Sequence, residues 1–435
     1  MTSRAPRASC AQIAMSCASV LLFALSVACT SGRPVTPTEP NPPVTPPTPP
    51  TPPTPPTPPN PNQVVITPGQ NIQSVVRSSP AGTEFLLRSG TYLSQSVVPK
   101  SGDSFVGETG TILDGGGSTV YAFDRGSSPY PSNVRIENLI IQNYHPPVQM
   151  GAIRAGGNTA AEGSYGWIVK NCEIRYNLGG GGINIGHYMK VLNSFVHHNE
   201  QIGIVGIGDS VVIDGNEISF NNYQKKVDYL WEAGGTKFTL THDLIARNNF
   251  VHDNWGPGLW TDIDNVNTLY ENNRVANNAD QGIFHEISYK AVIRNNVVTG
   301  NGADHSGWIW GAGIVIAASP DVEIYGNTVR GNANGISLVQ QDRGSGIYGA
   351  HILHDVYVHD NTVDVSVRGM TGAAQDIGDH AIFNSRNNRF VNNTYILGSN
   401  PYPFEWMDSE LTAAKWRSYG QDVSGRFNSP TPARP

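Results

Sequence analysis

The chain has 435 residues, 47 glycines, 14% charged side chains and a formal net charge of −7. This composition disfavours two broad classes. A coiled coil or helical bundle needs far more Ala, Glu, Lys and Leu, and a nucleic-acid-binding protein normally carries a basic excess. The length suits one large solenoid or two to three ordinary domains.

Residues 1–28 have the parts of a secretory signal peptide. Arg4 and Arg7 precede an apolar run over residues 18–28, which is too short for a membrane-spanning helix of about 20 residues. Small residues end this run before Cys29, which resembles the lipidated cysteine of bacterial lipoproteins. The leader therefore predicts a cell-surface or periplasmic lipoprotein whose Cys29 carries a membrane anchor, with plain secretion as the alternative.

Residues 29–62 form a predicted disordered linker between the leader and the folded body. They contain Pro/Thr repeats such as TPPTPPTPP, and proline-rich chains adopt an extended helix that rises about 3.1 Å per residue. After removal of the leader and acylation of Cys29, only Cys172 of the four cysteines remains. No intramolecular disulfide is then possible, so packing alone must stabilise the folded part.

Residues 63–425 contain an internal repeat, and residues 426–435 are predicted to follow it as a flexible tail. Units such as NCEIRYN and NNFVHDN recur around paired asparagines, at intervals of 22 to 34 residues. The second positions of the nine units are Cys172, Ser194, Asn216, Asn249, Asn273, Asn296, Asn327, Asn361 and Asn388. Short alternating runs rich in Val and Ile indicate strands. Strands that recur once per unit pair with the equivalent strand of the next coil, which predicts an all-β parallel β-helix.

Stacked asparagines suit such a fold. Asn tolerates the left-handed conformation of a turn, and stacked side-chain amides can hydrogen-bond from coil to coil. Both ends are predicted to carry a short capping helix, because the last strands of a solenoid are otherwise open edges. One helix is expected over residues 71–77 and another over residues 409–419, with Asp408 or Ser409 as its N-cap.

From about residue 64 to 424 the chain resembles the right-handed parallel β-helix proteins of the pectate-lyase-like superfamily. The segment GQNIQSVVRSSPAGTEFLLRSGTY is similar to their capping helix and first coil, and DSELTAAKWRSYGQD to a common C-terminal segment. The superfamily includes polysaccharide lyases, glycoside hydrolases, uronan epimerases and phage tailspikes, so the resemblance implies a protein that acts on or binds polysaccharide. The DPH motif of mannuronan epimerases and the NTD, DD, GHG and RIK set of polygalacturonases are missing.

Three consecutive coils carry charged residues at equivalent positions of one strand. Period-2 alternation sends every second side chain outward. The predicted outward rows are Lys237, Trp260 and Phe284; then Thr239, Asp262 and Glu286; then Asp264 and Ser288. His285 is predicted to point inward as a hydrogen-bonded core histidine. Adjacent acidic side chains repel, so this face needs a proton, a bound cation or Lys237 to compensate the charge.

One chemistry that fits these rows is β-elimination on a uronic-acid polymer. Lys237 is the predicted base, provided that its surroundings lower its pKa. The predicted ligands of a Ca²⁺ ion are Glu232, Asp262, Asp264 and Glu286, because calcium prefers oxygen ligands. Glu232 and Lys237 lie five residues apart, which is similar to the glutamate and lysine of one alginate-lyase branch of the superfamily.

The rival chemistry is glycoside hydrolysis by paired carboxylates. Asp262 and Glu286 are expected about one strand spacing apart, near the roughly 5–5.5 Å of a retaining mechanism. In either case sugar rings are expected to stack on flat aromatic faces. The predicted substrate-binding residues are Trp231, Trp260, Phe284, Trp308 and Trp310.

The sequence therefore predicts an extracytoplasmic, monomeric, single-domain β-helix that acts on polysaccharide, with a lyase placed ahead of a hydrolase. Lys237, Asp262 and Glu286 are the predicted catalytic residues. A non-catalytic glycan-binding or adhesion solenoid is a third interpretation, and no nucleic-acid partner is expected.

Overall fold

A computed structural model describes residues 63–367 and 369–429. Over these residues the chain winds through three long sheets, named A, B and C in the order in which a coil visits them. The predicted signal peptide, the predicted lipidation site Cys29, the linker up to residue 62 and residues 430–435 of the predicted tail lie outside the described residues. No helix in the described part of the chain is long and apolar enough to cross a membrane.

The strands stack in chain order within each sheet. Sheet A contains Gln63–Ile66, Glu84–Leu87, Ser104–Gly107, Arg135–Glu137, Ile168–Lys170, Lys190–Leu192, Val212–Asp214, Ile245–Arg247, Val266–Glu271, Tyr289–Arg294, Val322–Tyr325, Tyr357–His359 and Arg389–Val391. Sheet B contains Gly90–Leu93, Thr111–Asp114, Ile140–Gln142, Glu173–Arg175, Phe195–His197, Glu217–Ser219, Phe250–His252, Arg274–Ala276, Val297–Thr299, Thr328–Arg330, Thr362–Val365, Thr394–Leu397 and Arg426–Asn428. Sheet C contains Phe123–Asp124, Gly151–Arg154, Gly181–Ile185, Ile202–Gly206, Gly234–Phe238, Leu259–Asp262, Ile283–Glu286, Ala312–Ala317, Asn334–Gln340, Thr371–Gln375, Phe404–Trp406 and Ser409–Leu411.

The remaining elements are short. A small antiparallel hairpin pairs Ser345–Gly346 with Gly349–Ala350. The helical segments are Ile72–Ser78, Ala160–Glu162 (a 3₁₀ turn), Tyr229–Glu232, Ala381–Asn384 and Ala413–Ser418.

Buried asparagines form a ladder at the turn between sheets A and B, as the repeat predicts. The backbone N–H of Asn216 donates to Asn249 Oδ1 at 3.0 Å, and Asn249 repeats this contact to Asn273 at 3.1 Å. The ladder continues from Asn361 to Asn393, so the predicted ninth member, Asn388, is wrong. Asn388 instead accepts a hydrogen bond from the backbone of Val356, because asparagine pairs occur at more than one turn of that coil.

A second ladder, at the turn between sheets B and C, was not predicted. It uses the last asparagine of each seven-residue unit. Side-chain amide bonds of 2.8–2.9 Å connect its members, which are Asn177, Asn199, Asn221, Asn254, Asn278, Asn301 and Asn332. The two ladders satisfy backbone groups that lie inside the turns, where water does not reach them.

The two ends differ in how well the sequence predicts them. Helix Ile72–Ser78 begins after Asn71, whose side chain accepts from Ser74 N–H at 2.8 Å, which confirms the N-terminal cap. The predicted helix over residues 409–419 is too long. Ser409–Leu411 forms an antiparallel edge strand. The N-cap of helix Ala413–Ser418 is Thr412, not Asp408 or Ser409, and its Oγ1 accepts from the Lys415 N–H. Strand Arg426–Asn428 also pairs with Thr394–Leu397, beyond the predicted boundary at residue 425.

The ladders generate a test of what holds the coils together. Asn278→Ala removes the acceptor of the Asn254 backbone N–H and the donor to the Val251 carbonyl, and both groups remain buried. We expect the free energy of unfolding to fall by on the order of 3 kcal/mol, because each buried unpaired group costs about 1–3 kcal/mol. Urea unfolding measures the change. Asn384→Ala, at an exposed position, is the control, and equal effects of both changes would contradict a stabilising ladder.

Candidate functional site

Sheet C carries the charged rows. The structure pairs Leu259 with Ile283 and Asp262 with Glu286, as the sequence predicts. Alternate side chains separate into two apolar clusters: Leu259 and Ile283 belong to the core, whereas Trp260 and Phe284 belong to a cluster on the outer face. The outer row runs through Arg154, Asn184, Val205, Lys237, Trp260, Phe284, Val315 and Ser337.

The outer row is not an open surface. Three insertions flank or cover it, and we name them insertion 222–233, insertion 302–311 and insertion 341–352. Trp260 and Phe284 are 3% and 6% exposed and stack at 5.5 Å between ring centroids. Trp310 of insertion 302–311 packs edge-on against Phe284. The expectation that Trp260 and Phe284 present free faces to a sugar is therefore wrong, because neighbouring rings cover them.

The other predicted substrate-binding aromatics keep accessible surface. Trp231 is half exposed at the end of insertion 222–233. Trp308 and Trp310 are partly buried and lie with their ring centroids 6.4 Å apart. Sugar stacking on these three residues stays a prediction.

Lys237 is the centre of the charged cluster. Its Nζ lies 2.8 Å from Asp262 Oδ2 and 3.0 Å from Glu232 Oε1, donates to the Trp231 carbonyl at 2.9 Å and sits 3.8 Å from the centre of the Trp260 ring. Burial alone lowers the pKa of Lys237, but the two carboxylates outweigh it and hold the pKa above its usual value. The lyase prediction required a lowered pKa, and these contacts oppose it.

Glu286 lies opposite Asp262 on the next strand and has a different environment. Burial, reinforced by the negative charge of Asp262, raises the pKa of Glu286 to about 7. Arg343 of insertion 341–352 forms an ion pair with Glu286 Oε1 and partly offsets this effect. Arg343 could not be identified from the sequence. Its insertion has no periodicity, and 57 residues separate it from Glu286.

Two polar atoms in the cluster lack a partner. Asp262 Oδ1 and Trp260 Nε1 are buried without a hydrogen bond in the described part of the chain. Buried polar groups are normally hydrogen-bonded. One acceptor and one donor are therefore available to the hydroxyl groups of a bound molecule.

Asp264 does not lie in a row with Ser288, so this prediction is wrong. Ile263 and Asp264 both adopt left-handed conformations, with φ of 61° and 55°, and this extra residue shifts the register. Asn265 is therefore the residue whose side chain donates to Ser288 Oγ, at 3.0 Å. Asp264 Oδ1 instead contacts His351 Nε2 at 3.0 Å. His351 could not be identified from the sequence either.

The predicted calcium ligands do not fit a calcium ion in this arrangement. The Lys237 ammonium lies between Glu232 and Asp262, where a cation would bind. Arg343 is paired with Glu286, and His351 contacts Asp264. Among the described residues, the one set of three His, Cys, Asp or Glu side chains with ligand atoms within 4.8 Å of one another lies elsewhere, at Asp321, His354 and Asp355.

His285 points inward, as predicted. It is fully buried, its Nδ1 lies 2.8 Å from Thr261 Oγ1, and burial lowers its pKa to about 3. A neutral core histidine follows from this environment.

The environment of Glu286 predicts a pH dependence of stability. Its pKa rises from 4.5 to about 7 on folding, so the folded protein keeps a proton that the unfolded chain releases. The contribution of Glu286 to the free energy of unfolding is fully present below pH ~4.5. It is lost as the pH rises through ~7, by on the order of 3 kcal/mol. We expect Glu286→Gln to flatten this part of the curve in urea unfolding. Glu217→Gln, at an exposed side chain, is the control, and a Glu286→Gln curve parallel to wild type would contradict the raised pKa.

Comparisons with known proteins agree with the fold. Residues 160–329 match the family model described as right handed beta helix region. The A-module of mannuronan C-5 epimerase AlgE6 from Azotobacter vinelandii is 16% identical, with a TM-score of 0.52 over 83% of this chain and 94% of that chain. The AlgE4 A-module from the same organism is 13% identical, with a TM-score of 0.51 over the same shares.

A structure of XylC in complex with xylose is also similar. It is 12% identical, with a TM-score of 0.54 over 86% of each chain. No curated protein matches the sequence. Identities this low establish the architecture alone, and the stacked sheets, the family model and these structures together show that the chain is a right-handed parallel β-helix.

Proposed function

We propose that this protein is an extracytoplasmic, polysaccharide-active enzyme that hydrolyses a glycosidic bond with Glu286 and Asp262. The observation that supports it is a pair of carboxyl groups on adjacent strands whose environments differ. Glu286 is buried with its pKa raised to about 7, whereas Asp262 is held as an ion pair by Lys237 at 2.8 Å. Such a difference separates the acid from the anionic partner in glycoside hydrolysis.

In the proposed mechanism Glu286 donates its proton to the oxygen of the leaving sugar. The two carboxyl groups project from neighbouring strands, which lie about 4.8 Å apart, near the separation of roughly 5–5.5 Å in retaining enzymes. Asp262 attacks the anomeric carbon as the glycosidic C–O bond breaks. Glu286 then takes a proton from water, and this water displaces Asp262 from the sugar.

Lys237 acts in this proposal as a positioning residue. Its ammonium fixes the Asp262 carboxylate through Oδ2 and leaves Oδ1 free. The indole N–H of Trp260 is the nearby donor without a partner. When Glu286 is protonated, as the proposed mechanism requires, Glu232 and Asp262 balance Lys237 and Arg343. The cluster then has no net positive charge to attract an acidic sugar, which favours an uncharged sugar at the cleaved bond.

Substrate access requires a change at insertion 341–352. The side chains of Lys237, Asp262 and Glu286 are only 4%, 9% and 11% exposed, whereas Arg343 is 32% exposed. Arg343 is therefore the outermost charged group over the carboxyl pair. An entering sugar meets this guanidinium first and must displace it from Glu286.

Lyase chemistry is the second candidate. The contact between Glu232 and Lys237 supports it, because this pair is what the resemblance to an alginate-lyase branch rests on. Elimination needs Lys237 to lose its proton, and both adjacent carboxylates oppose that loss. The similar structures do not discriminate, since one is an epimerase of mannuronan and another contains xylose.

The leader supports the proposed location. A basic start, a short apolar run and Cys29 are consistent with export followed by lipid anchoring, or with secretion. A polymer outside the cytoplasm is the substrate that such a location makes accessible.

Substitution of the carboxyl pair tests the reaction. We expect Glu286→Gln and Asp262→Asn each to lower the release of reducing ends from a cleaved polysaccharide by about 10²–10⁴-fold, because each removes a group that moves a proton or bonds to the sugar. Glu217→Gln is the control. Products that absorb in the ultraviolet and require Lys237 would instead establish a lyase. Wild-type binding to polymers without cleavage of any of them would indicate a glycan-binding protein.

Metal removal tests the cation. Because Lys237 occupies the space between Glu232 and Asp262, we expect dialysis against a chelator to leave both the activity and the thermal unfolding temperature unchanged. Recovery of lost activity on addition of Ca²⁺, or a rise of several degrees in the unfolding temperature, would show that calcium binds in place of the ammonium.

A further inference from the structure

A cavity of about 400 Å³ lies at the turn between sheets B and C, on a different part of the coil from Asp262 and Glu286. Its lining includes Phe220, Tyr223, Trp255, Lys225, Asp253 and Asp304. None of the residues assigned above to the hydrolytic site lines it. Its size and its mixture of aromatic faces with a few polar groups are typical of small-ligand sites.

Two of the insertions that flank the carboxyl pair also build this cavity. Insertion 222–233 contributes Tyr223 and Lys225 to the cavity and Glu232 to the Lys237 cluster. Insertion 302–311 contributes Asp304 to the cavity and Trp310 to the cover over Phe284. The insertions contact each other where the Tyr229 hydroxyl donates to the Asp304 carbonyl at 3.3 Å. A hydrogen bond therefore connects the two insertions that form the walls of the cavity.

The backbone at the mouth of the cavity is strained. In six consecutive coils the residue that follows the sheet B strand is left-handed, and these residues are Tyr176, His198, Phe220, Asp253, Asn277 and Gly300. Asp, Asn and Gly adopt this conformation readily, whereas a bulky residue pays a steric penalty. Phe220 is 39% exposed, so burial does not explain why a phenylalanine is placed there.

The exposed aromatic residues at this mouth form one group. Phe220 stacks on His198 at 5.0 Å, and Tyr223 packs edge-on against His198 at 5.4 Å. Phe220 and Tyr223 are 39% and 37% exposed. Trp255 forms part of the wall, with Lys225 Nζ 3.3 Å from the centre of its ring.

We propose that this cavity is a second carbohydrate-binding site, which takes one or two uncharged sugar units of a polysaccharide. Apolar C–H faces of a sugar ring pack on the exposed rings of Phe220 and Tyr223, as apolar surfaces do on aromatic rings. The carboxylates of Asp253 and Asp304 accept hydrogen bonds from its hydroxyl groups, and Lys225 donates one. Two carboxylates against one ammonium disfavour an acidic sugar. Occupation of this site does not depend on hydrolysis, because its residues are distinct from the carboxyl pair.

The test uses the full chain with Asp262→Asn and Glu286→Gln, so that no bound sugar is cleaved. Cellohexaose and xylohexaose are titrated as neutral probes and a galacturonate hexamer as an acidic probe, with calorimetry as the readout. We expect a neutral probe to bind and the acidic probe not to bind. Phe220→Asn and Tyr223→Ala should each weaken the binding about tenfold, as expected for loss of an aromatic contact.

Thermal unfolding separates a binding role from a structural one. Asparagine suits the left-handed conformation, so Phe220→Asn should leave the unfolding temperature unchanged or raise it while affinity falls. Tyr188→Asn is the matched control, because Tyr188 is also left-handed and 53% exposed but lies at the turn between sheets C and A. The Tyr188→Asn variant should bind the neutral probe with the same affinity as the protein that carries only Asp262→Asn and Glu286→Gln.

Three outcomes would overturn this site: no neutral probe binds, affinity is unchanged in the Phe220 and Tyr223 variants, or Phe220→Asn lowers the unfolding temperature while binding persists. The two proposals fail separately. Reducing ends from wild type with no effect of Phe220→Asn on affinity would retain the hydrolase and remove the second site. If the wild-type protein releases no reducing ends but Phe220→Asn weakens the binding, the second site is retained and the hydrolase is removed.

Discussion

The register between coils depends on side-chain amides that stack inside the turns. Asn216 and Asn249 are 33 residues apart in the chain, whereas Asn249 and Asn273 are 24 apart, yet the amide-to-amide bond is 3.0 Å in both steps. The extra residues of a long coil leave from the turn region and do not disturb the strands. The ladders therefore keep the strands in register even where successive coils differ in length. Insertions of different size can for this reason lie beside one regular sheet.

That constraint explains which features the sequence could predict. Leu259 and Ile283 were paired correctly because their strands follow equivalent asparagine turns at equal offsets. Asp264 was misplaced because one added left-handed residue follows the strand, and alternation says nothing about residues after a strand ends. Asn388 was misplaced because asparagines occupy more than one turn. Local sequence thus predicts the strands and which of their side chains point inward or outward. The prediction fails where a turn changes length.

The contacts across insertions had no sequence signal. Arg343 and His351 reach Glu286 and Asp264 over 57 and 87 residues, from a segment without periodicity. The chemistry of the site depends on these contacts, since they decide which carboxylates are already paired. Glu286 and Asp262 could be identified from the sequence as neighbours. The contacts of Arg343 with Glu286 and of Lys237 with Asp262 could not.

The fold does not require the buried charges of sheet C, whereas the proposed function does. Neighbouring coils place Val205, Val315 and Ala317 at equivalent positions of sheet C, so the fold itself accepts apolar side chains there. Removing charged groups from water costs several kcal/mol per ion, and an apolar replacement is often equally stable or more stable. The same desolvation raises the pKa of Glu286. The insertions that cover the site therefore maintain the raised pKa that the proposed acid role of Glu286 requires: if water reached Glu286 freely, its pKa would return towards the ordinary range and the carboxyl group would lose its proton at neutral pH.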